Sequence, residues 1–148
     1  MSAESGDVDA LQTTLAAEHA AMYVLGTLGG RVSQSADPAL ATAVSASFAT
    51  HRLYRDRLTS AITALGAEPV AAEAAYDVPS GLDRSAQIAR VARETEQSCA
   101  TTYAWLVANT VDEMRRWAIG ALNETAVRVL TLRGTPEMFP GAGEYADR

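Results

Sequence analysis

The stretch Leu15-Ala16-Ala17-Glu18-His19-Ala20-Ala21-Met22 decides how the rest of the chain is read, because it sets one charge at the centre of an apolar helical stripe. At about 3.6 residues per turn, Leu11, Leu15, Glu18, Met22, Leu25 and Gly29 fall within roughly 40° of one line. Glu18 therefore points where a leucine is expected. A carboxylate held among apolar groups costs several kcal/mol unless it is paired or bound to a metal. The other helices are read for the groups that answer it.

Working outward, Asp7 or Asp9 is expected to cap a first helix over 7–30, ended by Gly29-Gly30. Asp37-Pro38 supplies a cap followed by proline at the first helical position, and opens a second helix over 38–66. Its apolar line is Leu40, Val44, Ser47, His51, Tyr54, Leu58, Ile62 and Leu65, with Gly66 as the stop. Residues 67–83 contain Pro69, Pro79 and Gly81 and hold no period, so they read as a link with a short helical turn around Ala71 to Ala75. Loops between antiparallel helical neighbours are usually about 2–8 residues long, and this one is longer. A helix of about 28 residues is roughly 42 Å long, a distance that an extended link can cover at about 3.4 Å per residue. The second and third helices are therefore expected to run parallel, joined by an overhead crossover.

A third helix over 83–109 buries Ile88, Ala92, Cys99, Tyr103 and Leu106, with Glu96 on the same side. A fourth over 111–133 buries Met114, Trp117, Ala118, Ala121, Thr125 and Leu132, with Glu124 and Arg128 at the edge of that face. Gly134 and Pro136 end it, and the tail 134–148 carries Met138, Phe139, Pro140 and Tyr145, which are expected to pack on the bundle or on a second subunit. The whole chain, 1–148, reads as one all-α domain.

In an antiparallel helical hairpin, residues at one height are equidistant from the turn. Glu18 and His51 are centred between Gln34 and Ser35, in the first loop, and Glu96 and Glu124 are centred on Thr110, in the last. All four are thus placed near the waist of one bundle, with Arg55 and Arg128 one turn beyond His51 and Glu124. Two readings compete. Glu18, His51, Glu96 and Glu124 offer oxygen and nitrogen donors for iron, manganese or zinc. Alternatively, Arg55 and Arg128, with a protonated His51, neutralise the three glutamates in a buried ion-pair layer without any metal. The charge count favours the ion-pair layer. Tyr54 and Tyr103 read mainly as core, with hydroxyls in reach of the carboxylates. His19 reads as a flanking hydrogen-bonding residue, and Cys99 as a structural thiol.

Composition narrows the function. The net charge of −6, with arginine as the only basic residue type, argues against a nucleic-acid or anionic-membrane partner. A single cysteine permits no internal disulfide and suits the cytoplasm. No signal peptide and no membrane-spanning stretch are evident. No nucleophile triad, phosphate loop or cysteine-pair motif stands out.

With four helices, a long link between the second and third, and acidic residues facing inward at the waist, the pattern resembles the ferritin-like proteins. Their di-iron members take one Glu from each of two helices and a Glu-x-x-His pair from each of the other two. Glu18 and Glu96 match the lone glutamates. On the second helix the pair is Phe48 and His51, without the carboxylate, and on the fourth it is Glu124 and Val127, without the histidine. More narrowly, Ala17-Glu18-His19-Ala20-Ala21-Met22-Tyr23, His51-Arg52 with Arg55-Asp56, Leu65-Gly66-Ala67-Glu68-Pro69 and Phe139-Pro140-Gly141 resemble small bacterial ferritin-like domains of unknown function. The resemblance implies a ferritin-like four-helix bundle. The expectation that follows is a non-catalytic homodimer acting through association, with no cofactor. The alternative is an iron-, manganese- or zinc-binding protein or weak metal-dependent oxidoreductase. A carrier for an apolar ligand is a third reading, and it requires an open cavity beside the waist.

Overall fold

The computed structural model describes residues 3–132 and 138–142. It contains four helices, α1 (Ala3–Gly29), α2 (Pro38–Ala64), α3 (Ser85–Asn109) and α4 (Asp112–Thr131), and no strand among the described residues. None of these helices is long and apolar enough to cross a membrane. The helix starting at Ala3 takes in Asp7 and Asp9, so neither is its cap. Both lie near its N-terminal end, where the helix dipole favours negative charge.

The second helix begins and ends as its sequence dictates. The Leu40 backbone N–H donates to Asp37 Oδ1 at 3.1 Å, and Pro38 occupies the first turn. At the other end Gly66 adopts φ +75, and the Gly66 and Ala67 N–H groups donate to the carbonyls of Thr63 and Ile62. That pairing satisfies the last carbonyls of a helix and requires the left-handed conformation glycine accepts most readily.

Core packing fixes the direction of each rod. Leu11 and Leu15, early in α1, cluster with Leu58 and Ile62 late in α2, Leu106 late in α3 and Ala118 early in α4. Leu25 and Leu28 cluster at the opposite end with Leu40 and Val44, Ile88 and Val91, and Leu132. Helices α1 and α4 thus run one way and α2 and α3 the other, as the long link requires.

That link, 65–84, climbs alongside α1. The Gln12 side chain donates to the Glu68 carbonyl at 2.6 Å and accepts from the Val70 N–H at 2.8 Å. His19 Nε2 lies 3.1 Å from the Val70 carbonyl, Tyr76 stacks obliquely on Tyr23, and Leu82 enters the core cluster at the far end. The helical turn expected around Ala71 to Ala75 is absent, since these residues are exposed and bury no face that would stabilise one.

The bundle is unevenly spaced. Helix α1 packs closely on α2 and α3, and α3 on α4, whereas α2 and α4 stand apart and are bridged by long side chains. Beyond α4, Gly141 (φ +83) sits so tightly on α3 that a methyl group there would run into the Ala100 carbonyl. Part of the tail therefore packs on the bundle, while Met138 and Phe139 remain largely exposed. The helix stops at Gly134 and Pro136, and Tyr145, lie outside the described residues.

Candidate functional site

At the waist, each helix contributes polar groups to one layer. Glu18 comes from α1, Ser47, His51 and Tyr54 from α2, Glu96, Cys99 and Tyr103 from α3, and Thr125 and Arg128 from α4. Glu18, His51 and Glu96 are fully buried, and Arg128 is 16% exposed. His51 is the centre of the layer. Its Nδ1 lies 2.7 Å from Glu18 Oε2 and its Nε2 lies 3.2 Å from Glu96 Oε1.

The remaining oxygens of the two carboxyl groups are also engaged. The Tyr103 hydroxyl donates to Glu18 Oε1, and the Ser47 hydroxyl shares Glu96 Oε1 with His51. Arg128 donates from Nε to Glu96 Oε2 at 3.0 Å and from Nη2 to Thr125 Oγ1 at 2.8 Å. Among the described residues no buried side-chain nitrogen or oxygen lacks a partner.

A neutral imidazole carries one N–H and one acceptor nitrogen, so it cannot donate to carboxylates on both sides. The geometry fits an imidazolium. Burial by itself would lower the His51 pKa, but the hydrogen bonds and negative charge of Glu18 and Glu96 raise it from 6.5 to about 9. Burial likewise works against the Glu96 charge, and His51, Arg128 and Ser47 reverse that and hold its pKa below the ordinary value. For Arg128, Glu96 overcomes the cost of burial and raises the pKa. Two carboxylates and two cations then balance within the protein.

Nearby groups are kept neutral. Burial, reinforced by the charges of Glu18 and Glu96, pushes the Cys99 thiol up, and burial with Glu18 does the same to the Tyr103 phenol. Tyr54, Tyr103 and Trp117 fill the space beside the layer, with ring centroids 5.4 to 6.4 Å apart and planes nearly perpendicular. These rings fill the bundle interior on the Trp117 side of the layer, which leaves no room for an apolar ligand there.

Two of the expected residues lie elsewhere. Glu124 is exposed and accepts a hydrogen bond from the Tyr54 hydroxyl, outside the layer. Arg55 turns away from the interior onto Asp56, 2.6 Å from its nearer carboxylate oxygen. Next to Tyr54 in sequence, Arg55 is turned about 100° around the helix from the buried line, and a carboxylate is at hand. Tyr103, read mainly as core with its hydroxyl in reach of the carboxylates, donates to Glu18, while Ser47, legible only as a member of an apolar stripe, donates to Glu96. A hydroxyl one turn from His51 on a buried line was the available signal.

The residues present do not fit a two-metal centre. Phe48 packs its ring against Gly26 where one carboxylate would be needed, Val127 is exposed, Glu124 is held at the surface, and the Arg128 guanidinium sits on Glu96.

The model of the family described as a domain of unknown function, DUF4439, matches residues 10–144. The chain belongs to this family. A crystal structure of a conserved hypothetical protein, rv2844, from Mycobacterium tuberculosis is similar to it, with a TM-score of 0.79 and 29% sequence identity over 87% of this chain and 96% of that one. Among curated proteins nothing matches. The matched span takes in Glu18, His51, Glu96 and Arg128, so the layer lies within it.

Proposed function

We propose that this DUF4439 protein is a ferritin-like four-helix bundle that works by association, as a homodimer in the cytoplasm, with a charge-balanced Glu/His/Arg layer where a two-metal centre would otherwise stand. The observation that carries this reading is the engagement of both His51 nitrogens by carboxyl groups from two different helices. Such a layer gives each rod one height at which its charges are paired, so a slip in register strands a buried charge. Breaking a buried pair costs about 3–5 kcal/mol. Large apolar side chains at the surface, among them Leu53, Trp105 and Val127, support association.

Replacing Arg128 by Met leaves two buried carboxylates with His51 as their single cation and is expected to lower the melting temperature sharply. An unchanged melting curve would overturn the layer. Sedimentation of the wild-type chain at micromolar concentration is expected to show a dimer. A monomer at every concentration would remove the homodimer.

A further inference from the structure

We infer that the Cys99 side of the layer is a site for one thiophilic divalent cation of the zinc type, held by Glu18, His51 and Cys99. One donor atom from each of these residues lies within 4.8 Å of the other two, and all three side chains are buried. They come from α1, α2 and α3, so a bound ion would tie three rods together. Zinc bonds of about 2.0–2.3 Å at tetrahedral angles put donors roughly 3.3–3.6 Å apart. Binding therefore opens the 2.7 Å contact between His51 Nδ1 and Glu18 Oε2 by about half an ångström to admit the ion and draws in any donors that stand farther apart, and the set of one oxygen, one nitrogen and one sulfur suits zinc better than a hard cation.

The second requirement of such a site is an oriented histidine. With Nδ1 on the metal, His51 keeps its Nε2–H on Glu96, the arrangement in which a carboxylate fixes the tautomer of a metal-bound imidazole. This step rests on the layer as proposed, because Arg128 and Ser47 are what hold Glu96 in place. On binding, the thiol proton and the Nδ1 proton leave to solvent, and the Glu18 carboxylate and Cys99 thiolate neutralise the ion. The Glu96–Arg128 pair is left intact.

The third requirement is a route in. A hollow of about 290 Å³ lies between α1, α3 and the 65–84 link, with Ala17, Ala21, Ser98 and Cys99 in its lining. Asp77 and Glu94 also line it and no basic residue does, although Glu94 accepts a hydrogen bond from Arg90 at 2.6 Å. Small side chains leave the thiol under a thin cover, and the carboxylates favour a cation over an anion there.

The test is a titration of the full-length, chelator-treated protein with Co²⁺, followed by visible and near-ultraviolet absorption. One equivalent is expected to bind with ligand-field bands and a thiolate-to-cobalt charge-transfer band. Cys99→Ala, checked for helical content, is expected to lose the charge-transfer band and bind at least tenfold more weakly. If that variant does not fold, the wild-type spectrum decides alone. A wild type that takes up no cobalt, or takes it up without the charge-transfer band, overturns the site. The effect of Arg128→Met on the melting temperature is read separately, so failure of the metal site and failure of the layer are distinguishable.

Discussion

Among the described residues two arginine–glutamate pairs join different helices, and the shorter one matters less. Arg57 and Glu113 meet at 2.6 Å across the α2–α4 gap, with side chains 44% and 76% exposed. Arg128 and Glu96 meet at 3.0 Å at the waist, with Glu96 fully buried. In water the first pair gives up little when it opens, because solvent takes over both charges. At the waist nothing replaces a lost partner, so the same chemistry becomes a condition of folding. Burial and completeness of partners, more than bond length, set what a charge pair is worth.

The comparison can be broken most forcefully at Glu18. Glu18→Ala strands His51 beside one carboxylate and leaves the Tyr103 hydroxyl without its acceptor. A loss of about 3–5 kcal/mol is expected in denaturant unfolding, and a loss below 1 kcal/mol would mean the waist is solvated.

Solution pH gives the next largest effect. His51 is raised from 6.5 in the unfolded chain to about 9 in the folded one, so the stability it contributes is complete below pH 6.5 and drains away as the pH rises through 9. Glu96 acts in the opposite sense, since its lowered pKa contributes stability that is lost on acidification below the ordinary 4.5. Melting temperatures are expected to fall on both sides of a weakly acidic plateau, and a flat alkaline limb would contradict the layer.

A smaller effect tests the tail. Gly141→Ala meets both a left-handed backbone and the Ala100 carbonyl, and should cost about 1–3 kcal/mol by overpacking or release the tail from α3, seen as faster amide exchange there. Smallest is the counterpart pair, where Arg57→Ala is expected to change stability by about 0–1 kcal/mol.

The contrast also explains what was legible. Four helices, the parallel α2 and α3, and the meeting of Glu18, His51 and Glu96 follow from periodicity and from distances to the turns, which depend only on helix geometry. The fate of Arg55 and Glu124 does not, because both sit at the edge of a face, where a neighbouring Asp56 or Tyr54 decides which way a long side chain turns. Ser47 was visible as a residue but not as a donor, and Tyr103 as a donor without its acceptor, since both roles depend on which carboxylate another helix brings to them. The start of α1 was misplaced because Asp7 and Asp9 suit the first turns of a helix as well as its cap.

The most direct test is nitrogen-detected magnetic resonance of the His51 ring in metal-free protein. An imidazolium with protons on both nitrogens, titrating with a midpoint near 9, is the expected result. A neutral ring with one protonated nitrogen, titrating at or below 6.5, would contradict it.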